Sequence, residues 1–325
     1  MSMRQGFRWP ADKEAVLHKA IRLQWITLVV FSAIVVVMYF VLGSSQTMKT
    51  AWIEDILALI PPIAFLIVTR VERLRPNRTF PWGFLRAISI AYVVASTTLL
   101  CMGLYLAWDA VSTLLTESRP TIGAMTLFGR EVWLGWPMLV VLVASAIPPM
   151  IIGRMKLPLA RAIHDKVLYA DAEMCRAEWL TGAAALFGVA GVGVGLWWAD
   201  AAAALIISVD IVRDGTVNLS RAVRDLLDRH PTTVERDRPD PLIDRVKELV
   251  VATPWVHDCT VNLRNEGRAL TGDIVVAPAD GHTVSAHDVD GLRDAIEAIN
   301  WRLYDIAVMP SFSPPQAVSG AHDPF

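Results

Sequence analysis

The sequence YADAEMCRAEWLTG, residues 169–182, leads directly into a run without charged residues that extends over 179–199. If this stretch is helical, four of its side chains share one face at the spacing i, i+3, i+4 and i+7: Asp171, Met174, Cys175 and Glu178. Two carboxylates and two sulfur atoms on one face are a candidate path for a cation. Alternatively, these charges are solvated at a helix end. Glu178 fits that alternative less well, because an ionisable side chain at the hydrocarbon boundary is costly and usually faces a polar interior.

The composition is that of a membrane protein. Hydrophobic residues make up 54% of the 325 residues, and the mean hydropathy of +0.43 excludes an ordinary soluble enzyme. The net charge of −2 gives no indication of nucleic acid binding. The three cysteines are far apart and lack the spacing of a disulfide framework or a zinc site. We therefore expect a membrane protein that is not an enzyme and has no structural disulfide.

Uncharged runs predict six membrane spans, because about 20 apolar residues cross the hydrocarbon core as a helix. The N-terminal run is too long for a signal peptide, and we expect it to remain as an anchor. The fifth run is rich in Gly and Ala, which lets a neighbouring helix approach closely, and we expect it to pack against the second. The predicted spans are 23–43, 52–70, 87–108, 132–153, 179–199 and a sixth that begins at 201.

The second span is short unless it includes acidic residues. Only 14 uncharged residues separate Asp55 from Arg70, which covers roughly 21 Å as a helix. The span must then draw in Glu54 and Asp55, which need water, a partner or a cation at that depth. The alternative is a re-entrant or interfacial helix with both acids among the headgroups. Pro61 and Pro62 predict a kink in the middle of this helix.

The sixth span requires Asp210 inside the membrane. Arg213 lies three residues later, so the two could form a structural ion pair within one helix, or Asp210 could carry a proton during transport. Both interpretations remain open from the sequence.

The basic residues predict the orientation. Lys and Arg concentrate in the N-terminal segment, in the loops 70–86 and 154–166 and after the sixth span, whereas the intervening loops are poor in them. Because basic loops stay in the cytosol, we expect cytosolic N- and C-termini.

A change in hydropathy near residue 236 predicts a second domain. The pattern helix, strand, strand, helix, strand is typical of a small α+β sandwich with a ferredoxin-like fold. An open sheet edge and an apolar helix face need covering, so we expect this domain to pair two chains. The predicted division is a cytosolic segment 1–22, a six-span domain 23–230, a cytosolic α+β dimerisation domain 236–310 and a flexible tail 311–325.

In their order and spacing, several motifs resemble those of the cation diffusion facilitator family. The fifth-span pattern Asp171, Met174, Glu178 resembles one in which a His or Asp, and an Asp four residues later, bind the transported metal. The sequences WADA at 198–201, LLDR at 226–229 and TFPWG at 79–83 resemble the family's fifth-to-sixth turn, the end of its sixth helix and a loop that usually contains histidine.

The sequence departs from the family pattern at several metal positions. The second helix should carry two acids four residues apart, but Glu54 is followed at that spacing by Ala58. Met174 stands at the His or Asp position of the fifth helix, and Trp82 replaces the loop histidine. The resemblance therefore implies a transport site with Glu54, Asp55 and Glu178 as oxygen ligands, Asp171 and Met174 beside them, and no cytosolic zinc cluster.

The residues and the resemblance together predict a divalent cation exporter of the inner membrane of a bacterium. Carboxylates that bind a metal must lose their protons, so exchange of metal for protons is expected. A site of oxygen ligands without histidine favours Mn²⁺ or Fe²⁺, whereas Met174 and Cys175 would favour Zn²⁺ or Co²⁺. The alternatives are a scaffold or regulatory homologue that has lost transport and a proton-coupled exporter of organic cations.

Overall fold

The computed structural model describes residues 7–41 without 8, residue 52, residues 55–116 without 75, then 124–127, 130–133, 135–193, 198–235 and 238–311. Glu54 and the predicted tail beyond residue 311 lie outside the described residues.

Six helices form the N-terminal part of the described chain, and a small sheet domain follows them. The helices are α1 (Ala11–Val41), α2 (Ile60–Val71), α3 (Ala87–Leu115), α4 (Gly135–Ala162), α5 (Lys166–Gly193) and α6 (Ala199–Leu226). A hairpin of β1 (Ala124–Leu127) and β2 (Arg130–Trp133) connects α3 to α4. The C-terminal domain contains α7 (Pro241–Val251), β3 (Val256–Glu266), β4 (Ala269–Pro278), α8 (Ala286–Ile299) and β5 (Leu303–Pro310).

Two of the described helices are by themselves long and apolar enough to cross a membrane. They are residues Ala11–Tyr39 of α1 and the whole of α3, Ala87–Leu115. Large apolar side chains also point outwards from the bundle, among them Val29 of α1, Leu104 of α3 and Ile206 of α6. An exposed surface of this kind is typical of a protein whose helices face lipid.

The helix limits differ from the predicted spans because the helices continue into charged sequence. α1 begins at Ala11, so much of the predicted cytosolic segment 1–22 is part of the first helix. α4 extends to Ala162 and α5 begins at Lys166, which reduces the predicted loop 154–166 to a turn over 163–165. Charge alone does not end a helix when its apolar face continues, so the uncharged runs are shorter than the helices that contain them.

The second helix is interrupted beside Pro61 and Pro62, where the sequence predicted a kink. Pro61 and Pro62 occupy the first positions of α2, after a helical turn at 55–57. Proline is favoured there because its missing N–H is not needed in the first turn of a helix. Asp55 therefore lies before α2 in the chain, in the separate turn.

Glycines set the close approaches between helices. A Cβ atom at Gly215 of α6 would lie 2.7 Å from the Cα atom of Leu100 in α3, so these helices are in backbone contact. A Cβ atom at Gly182 of α5 would lie 3.0 Å from the Cβ atom of Ala146 in α4. The small residues of α5 thus let α4 approach closely at this point, and α5 also contacts the second helix, as the sequence predicted.

The C-terminal domain has the predicted order of elements. Its sheet has the order β3-β4-β5, with β3 antiparallel and β5 parallel to β4. One apolar core joins the sheet to α7 and α8, for example through Val246, Ile274 and Ile296. Asp240 caps α7 by accepting the N–H of Leu242, and Ser285 forms a capping box with Asp288 at the start of α8.

Candidate functional site

The predicted face of α5 is buried inside the helical bundle. Asp171, Met174 and Cys175 are each 1% exposed, and both carboxylate oxygens of Glu178 are inaccessible from outside the protein. The spacing inferred from the sequence therefore places all four residues on an inward face. The interpretation of these charges as a solvated helix end does not agree with this burial.

Asp171 is engaged by two polar side chains from other helices. Its Oδ2 atom lies 2.6 Å from Nζ of Lys156 in α4 and accepts a hydrogen bond of 2.5 Å from Nε2 of Gln24 in α1. Lys156 and Gln24 are both fully buried. Asp171 was predicted as a metal ligand, but its negative charge is compensated within the bundle by the ammonium group.

Sequence reasoning missed Lys156, which was counted among the basic residues of a cytosolic loop. It belongs instead to the buried face of α4, together with Ile152 and Ala160 at the spacing i, i+4 and i+8, and buried Ile163 in the turn continues the pattern at i+11. That periodicity was a signal in the sequence that the helix continues past Gly153. A second signal was the short turn, because two helices joined by a few residues are antiparallel neighbours.

The residues just before α2 meet α5 beside the acidic residues. Ala58 belongs to the same buried cluster as Met174, Cys175 and Ala177. Asp55 precedes Ala58 by one helical turn, and its Oδ2 atom is buried without a hydrogen-bond partner among the described residues. Glu54, the third predicted ligand, lies outside the described residues. In the described part of the chain, no three His, Cys, Asp or Glu residues form a group that could hold a metal ion.

Asp210 has a different partner from the one predicted. It lies 3.2 Å from Arg176 of α5, which also reaches Asp214 at 3.4 Å and Glu173 at 3.2 Å. The predicted pair of Asp210 with Arg213 within α6 is thus replaced by a pair between two helices. Arg176 faces three carboxylates and joins α5 to α6. The cation that pairs with these three acids is therefore supplied by the protein itself.

The ends of α2 and α5 are joined by Arg268, from the turn between β3 and β4. Arg268 is 1% exposed and donates to Asp165 at 2.5 Å, to Glu72 and to Thr69 at 3.3 Å. Its guanidinium group also lies 5.5 Å from the ring centres of Trp9 and Phe65. These contacts fasten the C-terminal domain to the two helices that carry the candidate ligands.

Burial and the neighbouring charges shift the pKa values of Arg268 and Glu72. Burial alone would lower the pKa of Arg268, but Asp165 and Glu72 outweigh burial and raise it. Burial raises the pKa of Glu72, and the neighbouring Asp165 raises it further, against the opposing effect of Arg268. One cation therefore compensates two buried carboxylates. Asp165 also accepts the backbone N–H of Leu168, which caps the start of α5.

A second polar contact joins the domains at the turn between α4 and α5. His164 lies 3.7 Å from Asp240, which Arg302 of the C-terminal domain binds at 2.6 Å. Burial lowers the pKa of His164 to about 3, and the positive charges of Arg302 and Lys166 act in the same direction. His164 is therefore neutral at physiological pH.

Comparison with known proteins identifies the family. A family model described as the Cation efflux transmembrane domain matches residues 23–227, which is more than half of the chain. The Manganese efflux system protein MneS of Bacillus subtilis (strain 168) is 22% identical over 273 residues, which cover 80% of this chain and 83% of that protein. The matched region extends from α1 to the end of α6 and contains the buried acids of α5. The chain therefore belongs to the cation efflux family of membrane transporters, the cation diffusion facilitators.

Proposed function

We propose that the protein exports a divalent metal cation in exchange for protons, through a site between the segment just before α2 and the middle of α5. The observation that carries this proposal is the burial of carboxylate oxygens from Asp55 and Glu178 where these two segments share one buried cluster. Carboxylates at such a depth attract a divalent cation strongly, because little water screens their charge. Glu54 is the third proposed ligand, and Met174 lies beside the site.

Proton exchange follows from the same chemistry. A buried carboxylate without a cation favours its neutral form, and a metal binds only the ionised form. Protons that enter from outside would displace the metal, and a metal that enters from the cytosol would displace the protons. Alternating exposure of one such site to the two sides gives antiport.

We propose Mn²⁺ or Fe²⁺ as the transported ion. Oxygen ligands without histidine suit these ions, and a relative that aligns over most of the chain is described as a manganese efflux protein. The sulfur atoms of Met174 and Cys175, if they were ligands, would favour Zn²⁺ or Co²⁺. Sγ of Cys175 lies 3.5 Å from Nζ of Lys156. A metal ion bound to this sulfur would lie beside the ammonium group and be repelled by it, which disfavours Cys175 as a metal ligand.

The topology that suits this function has six spans, with both termini in the cytosol of a bacterial cell and the helices in the lipid of its inner membrane. Asp210 and Arg176 then form a structural contact between α5 and α6. The competing role of Asp210 is that of a proton carrier.

The C-terminal domain is the proposed contact between two copies of the chain. In the three-stranded sheet, β3 and β5 are edge strands, and Met309 of β5 is exposed. Native mass spectrometry of the detergent-purified protein should give a dimer, and a chain without residues 241–311 should give a monomer. A monomeric full-length protein at micromolar concentration would contradict the proposal.

Transport can be tested in everted membrane vesicles that hold an acidic interior. Mn²⁺ added to vesicles with the wild-type protein should dissipate the pH gradient and accumulate inside. Glu178→Gln and Asp55→Asn should each lower the initial rate at least tenfold, because each removes one charge that binds the metal. Asp294→Asn, on an exposed acid of α8, is the matched control and should transport at the wild-type rate.

The results separate the alternatives. A scaffold would give no Mn²⁺-dependent change of the gradient with any variant. An exporter of organic cations would dissipate the gradient with a quaternary ammonium compound and not with Mn²⁺. Equal transport by the wild type and Glu178→Gln would contradict the proposed site.

A further inference from the structure

α4 places an ammonium group in the interior of the helical bundle, beside the acidic face of α5. Lys156 has no exposed surface, and its Nζ atom lies 2.6 Å from Asp171, 3.5 Å from Sγ of Cys175 and 6.0 Å from the ring centre of Phe31. The family resemblance assigns no role to a lysine here.

The same ammonium group is within electrostatic reach of Glu178. Asp171 and Glu178 are two turns apart on α5, about 10 Å along the helix axis, and Cys175 lies between them. The stem of a lysine is flexible, with four carbon atoms and a compact charge at its end. Its contact with Cys175 shows that the ammonium group already extends from Asp171 towards Glu178.

One contact holds the ammonium group at the Asp171 end, and a second contact holds Asp171 itself. The Oδ2 atom of Asp171 contacts Nζ of Lys156 and accepts a hydrogen bond from Nε2 of Gln24. Gln24 belongs to α1 and is itself fully buried. Three helices thus converge on one carboxylate oxygen. If Asp171 were not ionised, the positive charge of Lys156 would be attracted to the next carboxylate along the same face, that of Glu178.

We propose that Lys156 is a built-in counter-cation of the metal site, and that Asp171 is a positioning residue that holds its ammonium group away from Glu178. This inference rests on the proposed function. With Lys156 bound to Asp171, the positive charge is neutralised locally, and Glu178 keeps its negative charge for the metal. Lys156 thereby sets the affinity of the site, and Asp171 acts on the metal through Lys156.

A purely structural role is the competing explanation. A buried ion pair adds little stability over apolar side chains of similar volume, although removal of one partner alone is destabilising. Stability measurements alone therefore cannot separate the two roles, but metal affinity can. The sign of the effect also separates a positioning residue from a metal ligand, because loss of a ligand is not repaired by removal of the lysine.

The test is a double-mutant cycle on the full chain in detergent, with the dissociation constant for Mn²⁺ measured by equilibrium dialysis. Asp171→Asn should weaken Mn²⁺ binding at least tenfold, because the ammonium group is released towards Glu178. Lys156→Met combined with Asp171→Asn should restore the affinity to within about threefold of the wild type, because neither charge remains. Gln24→Leu, which removes one restraint and no charge, should weaken binding by a few-fold.

Each contrary result has a definite meaning. Equal weakening in Asp171→Asn and in the double variant would show that Asp171 is itself a ligand and would overturn the inference. Equal affinity in all the variants, with changes in thermal stability only, would show a structural ion pair and overturn it as well. If Asp171→Asn does not fold, the double variant and Gln24→Leu still decide between these outcomes.

Failure of the proposed function would look different. If the wild type does not bind Mn²⁺, or if Glu178→Gln binds it as tightly as the wild type, the metal site is wrong and the inference falls with it. If Glu178→Gln loses Mn²⁺ binding, but Asp171→Asn binds Mn²⁺ as tightly as the wild type with and without Lys156→Met, only the inference is wrong.

Discussion

Replacement of Arg268 by methionine should strongly destabilise the contact between the two domains. Methionine keeps much of the length and apolar volume of the side chain but removes the charge. Arg268 is fully buried and compensates Glu72 and Asp165, whose side chains are 3% and 0% exposed. Breaking a buried ion pair by removal of one partner costs about 3–5 kcal/mol. Because two carboxylates lose the same cation, we expect the upper half of that range.

Arg264→Met is the matched control. Arg264 lies in β3 of the same hairpin, but its side chain is 39% exposed and lies 3.9 Å from Asp228. An exposed pair contributes about 0–1 kcal/mol. In thermal unfolding of the detergent-purified protein, Arg268→Met should lower the midpoint by on the order of 10 °C, since 1 kcal/mol shifts it by roughly 2–4 °C in a chain of 150–250 residues. Arg264→Met should stay within about 3 °C of the wild type.

The loss of stability in Arg268→Met should depend on pH. Burial already raises the pKa of Glu72 above its ordinary value of 4.5, and loss of the guanidinium group raises it further. The folded variant then binds more protons than the unfolded chain, so its stability is highest below pH 4.5 and falls as pH rises through the folded pKa. The difference in thermal midpoint between the wild type and Arg268→Met should therefore be larger at pH 8 than at pH 5. Glu72→Gln, added to Arg268→Met, should reduce this difference. Equal midpoints for the two arginine variants, or a gap independent of pH, would refute this account of the contact.

Two further predictions concern the turn at His164 and the contact of α3 with α6. Since the pKa of His164 is about 3 in the folded protein and near 6.5 in the unfolded chain, its neutral form contributes stability above pH 6.5 that is lost as pH falls. The loss is at most about 1.4 kcal/mol per pH unit, and His164→Asn should remove most of it in denaturant titrations between pH 6.5 and 5; an unchanged pH slope would contradict the assignment. Gly215→Ala should lower the thermal midpoint by several degrees, because its methyl group would meet the backbone of Leu100 at 2.7 Å. Gly291→Ala has open space at its Cβ position and should not destabilise the protein, so equal losses would refute the packing argument.

Much of the C-terminal domain was predictable because its signals are local. Alternation of apolar residues predicted β3 and β4, and the turn between them was marked by Gly267, whose φ of +68° suits glycine. The inward face of α5 was likewise predictable, since helical spacing alone puts Asp171 and Glu178 on one side.

The pairing of Lys156 with Asp171 was within reach of the sequence once the turn at 163–165 was recognised. Lys156 lies eight residues before His164 (164 − 156) and Asp171 lies seven residues after it (171 − 164). In two antiparallel helices joined there, these side chains are at the same height. Hydropathy concealed this, because it places a lysine outside the membrane by default.

By itself, the sequence determined the membrane character of the chain, the acidic face of α5 and the order of elements in the C-terminal domain. These properties follow from composition and from periodicities of two or about 3.6 residues, which act over a few neighbouring positions. Only the tertiary structure decided which charges meet. Arg268 binds Asp165 and Glu72 across 103 and 196 residues of sequence, and Asp210 binds Arg176 of another helix in place of Arg213. The physical reason is that the cost of a buried charge depends on the partner that folding brings to it, and local sequence does not specify that partner.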